Sequence, residues 1–109
     1  MNTFFSVAGQ VGKFPPRVIP GKNMLDFAVV APGKDDKVII VRMTVFNVDD
    51  IDEAINKLQP GTIVSVDGWI SSRAIETGGD KKIFVPSLGT TMSRIHLLGD
   101  GASTEDLEF

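Results

Sequence analysis

The chain has 109 residues, 42% of them apolar and 23% charged, which is material for one domain with a single core. It has no cysteine, which excludes disulfides, thiolate metal sites and a cysteine nucleophile and fits a cytoplasmic protein. The net charge of −3 is a misleading average: residues 100–109 hold four of the fourteen acidic side chains, so residues 1–99 carry eleven basic against ten acidic residues, and a polyanionic ligand is not excluded.

Residues 3–12 are aromatic and β-branched and predict a first strand, with Gly9 and Gly12 marking a bend or bulge. Residues 13–23, with Pro15, Pro16, Pro20 and Gly21, predict a loop or an irregular edge segment. Residues 24–31 predict a second strand, and Pro32 to Lys37 a charged hairpin turn. Residues 38–46, Val-Ile-Ile-Val-Arg-Met-Thr-Val-Phe, are the strongest strand signal in the chain.

The period then changes. Apolar residues at 48, 51, 54, 55 and 58 predict a helix from Val48 to Leu58, capped by Asp49 or Asp50 and stopped by Pro60-Gly61. Residues 62–73 predict a fourth strand, with Val64, Val66 and Ile70 on its inner face and Gly68 allowing curvature. Glu76 to Lys82 is a polar turn, and residues 83–98 predict a last strand or strand pair, interrupted by Pro86 and Gly89.

Apolar runs do not exceed four to five residues, so no membrane-spanning helix is expected. The Phe4-Phe5 start lacks a basic leader and a long apolar run, so no secretory signal is expected either. The order β-β-β-α-β-β, with glycine-relieved curvature, suits an all-β, five-stranded Greek-key barrel of the OB type, with one helix between strands three and four. A seven-stranded sandwich fits less comfortably in this length.

Several segments, in order, resemble bacterial and phage single-stranded-DNA-binding proteins. Gly9-Gln-Val-Gly12 followed by Pro15, Pro16 and Arg17 resembles the family's first-strand Gly-Asn-x-Gly and Pro-Glu-x-Arg pattern. Asp26-Phe-Ala-Val-Val30, Arg42-Met-Thr-Val-Phe46, Gly61-Thr-Ile-Val-Ser-Val-Asp-Gly68 and Gly89-Thr-Thr-Met92 resemble its later strands. The resemblance implies an OB fold, binding to single-stranded DNA and assembly as a dimer or tetramer through the first strand and sheet edges. It also implies that Phe46 stacks on a base. The chain departs from the pattern at Ile40 and Ile75, where the family often has aromatics, and in having no tyrosine. These departures suggest a small divergent member, encoded by a phage or mobile element, or an accessory protein on the same scaffold. A phage-encoded member would act in the host cytoplasm.

Sequence-tolerant binding of one strand needs cations along the phosphates and flat side chains against the bases, a base–aromatic stack contributing about 1–3 kcal/mol. Trp69 is odd-numbered on a strand whose inner residues are even-numbered, which places it on the outer face in register with Arg73. Its alternative role is a barrel-end or subunit contact. Phe46 either stacks on a base or packs on the helix. Phe84, near Lys81 and Lys82, either meets a base at the end of a hairpin or is a core residue. Arg42 interrupts an apolar strand and is expected on the concave outer face. Lys13, Arg17, Lys34 and Lys37 are further basic candidates, in loops and turns.

Catalysis is not expected. The single histidine, His96, has no second His or Cys with which to build a common metal site. The Asp49, Asp50, Asp52 and Glu53 cluster lacks calcium-loop spacing and suits a helix start. No cofactor is implied.

Residues 100–109 are expected to form a tail apart from the OB domain of residues 1–99. Glu105, Asp106, Leu107, Glu108 and Phe109 set carboxylates around two apolar side chains. The resemblance implies that this stretch recruits replication or repair proteins. A frayed end or cloning remnant is the plainer reading. For the whole chain, the rival to DNA coating is an OB accessory subunit that works through protein contacts and binds nucleic acid weakly.

Overall fold

Buried side chains alternate with more exposed ones along residues 25–31, 42–46 and 63–68, and the computed structural model resolves these stretches into strands; residues 3–79 and 81–99 are described. The expected tail, with Glu105 to Phe109, lies outside the described residues. β1 is Thr3–Val11, β2 Arg17–Val18, β3 Leu25–Pro32 and β4 Val38–Phe46. Helix α1, Ile51–Lys57, follows, then β5, Ile63–Glu76, β6, Lys82–Thr91, a 3-10 turn at Met92–Arg94, and β7, Ile95–Gly99.

β1, β3, β4, β6 and β5 pair in that order, and β5 returns to β1, closing a ring of five strands. All ring pairings are antiparallel except β4 with β6, which is parallel at Thr44–Gly89, Val45–Thr90 and Phe46–Thr91. This is the Greek-key barrel expected from the element order. β2 adds to β3, and β7 takes the edge of β5 opposite β1, at residues 63–66.

Two places show how the ring closes. β1 pairs with β5 through residues 3–10 and with β3 only at Gln10 and Val11, so Gly9 sits just before the change of partner. β5 passes from β7 to β6 around Gly68, where an added Cβ would run into the Gly89 carbonyl oxygen. Glycine is required there by close backbone approach.

Inside the ring lie Val11, Leu25, Val29, Val45, Val64 and Val66, all without solvent exposure. Helix α1 joins this core through Ala54 and through Leu58 at its C-cap, with Ile51 and Ile55 packed alongside. Each fully buried aliphatic side chain of this kind contributes roughly 1.5–3 kcal/mol. Thr90 is the buried polar side chain of the core, and its hydroxyl donates to the Asp67 carbonyl at 2.7 Å, so its burial leaves no unmet hydrogen bond.

The structure corrects several expected boundaries. The helix begins at Ile51 rather than Val48, because Asp50 is the cap: its side chain accepts from the Glu53 N–H at 3.1 Å. The proline-rich loop contains the short strand β2. The fourth strand runs on to Glu76, because β6 continues to pair with it beyond the barrel. The last segment breaks at Met92–Arg94, not at Pro86 or Gly89. Pro86 has β5 on one side only, and an edge position tolerates a proline.

Candidate nucleic-acid interface

Strand parity decides which side chains leave the barrel. On β4, Met43 and Val45 are buried, so Arg42, Thr44 and Phe46 stand on the outer face. On β5, Val64 and Val66 are buried, so Trp69, Ser71 and Arg73 stand outside. On β3, Asp26 and Ala28 alternate outward with buried Leu25, Phe27 and Val29.

The ladders line these residues up. Trp69 pairs with Gly89, Gly89 with Thr44, Thr44 with Asp26, and Asp26 with Arg17. A single row therefore crosses five strands, roughly 19 Å at the usual strand spacing. At one end, Phe46 and Trp69 stack, with ring centroids 5.8 Å apart and planes 29° from parallel. Phe46 thus partners Trp69. Both rings lie over Gly89, where an added Cβ would come within 2.7 Å of the indole and 2.8 Å of the phenyl ring. Glycine at this position lets two aromatic rings settle on the sheet.

β4 and β6 touch only at their parallel pairs. Below Thr44 the two strands part, and a groove of about 1020 Å³ opens between them. Arg17, Arg42 and Arg73 reach it from β2, β4 and β5. Among the described residues, neither Arg42 nor Arg73 is paired with a carboxylate. Arg17 approaches Asp26 at 3.5 Å while remaining largely exposed. Two guanidiniums facing an open groove suit a ligand that carries repeated negative charge.

The other expected residues are placed more widely. Lys13 lies over the Phe14 ring at 5.3 Å. Lys34 and Lys37 flank the tip of the β3–β4 hairpin, and Lys81 and Lys82 sit at the tip of the β5–β6 hairpin. Phe84 is 69% exposed, which corrects the alternative of a core residue. It pairs with Ala74 and so occupies the hairpin face opposite Arg73 and Trp69.

Two residues of the groove were not anticipated. Phe14 is 71% exposed and lines the groove from the loop before β2. Its position in a loop gives it no periodicity to read. Asp26 lies in the groove wall, and its outward-facing parity on β3 was the available signal. Ile40, at the position where the family pattern often has an aromatic, also lines the groove.

No family model and no curated protein matches the sequence. Solved structures do. The mitochondrial single-stranded DNA binding protein Rim1 of S. cerevisiae superposes with a TM-score of 0.69 at 21% identity, over 94% of this chain and 100% of that one. A second crystal form of the same protein gives 0.61 at 22% identity, over 93% and 100%. The Plasmodium falciparum SSB in complex with ssDNA gives 0.62 at 18% identity, over 88% and 94%. The closed five-strand ring, its parallel β4–β6 contact and this similarity over nearly the whole length identify the fold as the OB barrel shared with these single-stranded DNA binding proteins.

Proposed function

We propose that the chain binds and coats single-stranded DNA, without strong sequence preference, as a non-enzymatic protein of replication, recombination or repair. The observation that carries this reading is the Phe46–Trp69 stack beside a groove that holds two arginines with no carboxylate partner among the described residues. The rings offer π-faces to bases of any sequence, and Arg42 and Arg73 offer charge to the intervening phosphates. The solved neighbours described as single-stranded DNA binding proteins, one of them in complex with ssDNA, support the same reading. Lys13, Lys34, Lys37, Lys81 and Lys82 extend the positive charge toward the groove's approaches in this account, and Phe84, on the hairpin face opposite Arg73 and Trp69, offers a further ring to a strand that wraps around the β5–β6 hairpin.

The geometry of β1 supports a reading in which further copies assemble through it. Residues 3–9 pair with β5 on one edge, while pairing with β3 begins only at Gln10. Among the described residues no strand pairs with the opposite edge of Thr3–Gly9, and Phe4 is 62% exposed. A homodimer built on this edge, or a tetramer of two such dimers, is the expected form. Recruitment of replication or repair proteins by Glu105 to Phe109 rests on composition: acidic groups flank Leu107 and Phe109, which suits a basic pocket with an apolar floor.

Trp69 is the sole tryptophan, so its fluorescence reports on the site directly. Titration with oligo-dT is expected to quench it saturably, and added salt is expected to reverse the quenching. Unchanged fluorescence together with no mobility shift at low salt would refute the DNA-coating reading.

A further inference from the structure

Among the described residues, one carboxylate lines the groove with its arginines. Asp26 faces outward from β3, between Arg17 on β2 and Thr44 on β4. Thr44 Oγ1 donates to Asp26 Oδ1 at 2.8 Å, and Arg17 Nη2 donates to Oδ2 at 3.5 Å. The threonine bond fixes the orientation of the carboxylate. A carboxylate has about four acceptor sites, so each oxygen retains one for a ligand. The Asp26 side chain is 39% exposed, which leaves it open to the groove.

We propose that Asp26, together with Phe14 of the same groove lining, forms a subsite that prefers a base carrying an exocyclic amine, so that cytosine is favoured over thymine there. The proposal rests on the reading of the groove as a track for single-stranded DNA. A fixed anion in that track repels phosphate, so a strand passing it must turn a base edge toward it. That edge must donate. Cytosine offers its N4 amine, a recognised partner of Asp and Glu. Thymine offers one N–H between two carbonyl oxygens, which the carboxylate repels. Phe14 supplies the stacking surface and is 71% exposed. Arg42 and Arg73 remain for the phosphates on either side. The result is a local bias within an otherwise sequence-tolerant interface.

The test is a competition between oligo-dC and oligo-dT of equal length, at neutral pH and fixed salt, on the full chain and on Asp26→Asn. The carboxamide retains the size of the side chain and an oxygen for Thr44, but it brings an amine of its own that complements the thymine O4. The natural chain is expected to bind oligo-dC roughly three- to tenfold more tightly, as one net hydrogen bond at a part-exposed site would give. Asp26→Asn is expected to lose or reverse that ratio. Phe14→Ala should weaken both oligonucleotides and so confirm the stacking half of the subsite. Equal or tighter binding of oligo-dT by the natural chain overturns the proposal, as does a ratio unchanged by Asp26→Asn, and both outcomes leave the DNA-binding reading standing. Binding of neither oligonucleotide overturns that reading and the proposal together.

Discussion

Trp69 concentrates the chemistry of the outer face. It stacks on Phe46 over a glycine and ends the cross-strand row that runs to Arg17. Removing the ring should remove one stack, so Trp69→Ala is predicted to weaken oligonucleotide binding by about 1–3 kcal/mol, roughly five- to 150-fold. Anisotropy of a labelled oligonucleotide measures this, and a loss below twofold would show that the ring is not a contact. Gly89→Ala tests the platform without touching either ring: its Cβ must push the indole and phenyl apart, so the Trp69 emission should shift and affinity should fall in parallel. Parity made Trp69, Arg42 and Arg73 legible in the sequence, because each interrupts or opposes a buried alternation. Phe14 was not legible, because its environment is created by β2 pairing with β3 and by the distant β5–β6 hairpin. Phe84 gave two readings, since an aromatic in a strand-like run has the same local signature whether or not another layer covers it.

Elements with one buried face were read close to their observed bounds. β3 and the inner part of β4 carry strict alternation, and α1 carries apolar spacing plus an Asp50 cap. The outer parts of β5 and β6 were harder to bound. Residues 71–76 are all exposed, so their strand conformation is held by the ladder with β6 rather than by any core they face. The chain break at Met92–Arg94 was misplaced because Pro86 and Gly89 are stronger breakers locally than Met-Ser-Arg, yet one lies at an edge and the other under two rings. The β3–β4 hairpin makes a test of its own. Asp35 and Asp36 both have positive φ, at 57° and 61°, and the Lys37 N–H donates to the Lys34 carbonyl at 3.2 Å. A tight turn with φ positive at both central residues favours glycine at the second of them. Asp36→Gly is therefore predicted to stabilise the protein by up to about 1 kcal/mol, read as a higher urea midpoint with an unchanged slope. A lower midpoint would contradict the turn geometry.

At the scale of the whole molecule, one topological fact builds the site. β4 and β6 meet in parallel for three residue pairs and then part, so the ring closes above Thr44 and a groove opens below it. The stack lies at the closed end and the arginines in the open part, and an extended strand crossing the row would meet both. Among the described residues, the same ring pairs Thr3–Gly9 of β1 along one edge only, with β5. A flexible single strand can turn its bases toward the rings while its phosphates meet the arginines, whereas the bases of a stiff duplex are already stacked and paired. The most direct test is a salt-dependent titration of single-stranded against duplex DNA of the same length. Single-stranded DNA is predicted to bind much more tightly, with log K falling against log salt at a slope of about −1.4 or steeper, as two phosphate contacts by Arg42 and Arg73 would give at the least. Equal or tighter binding of the duplex, or an affinity that does not change with salt, would contradict the account.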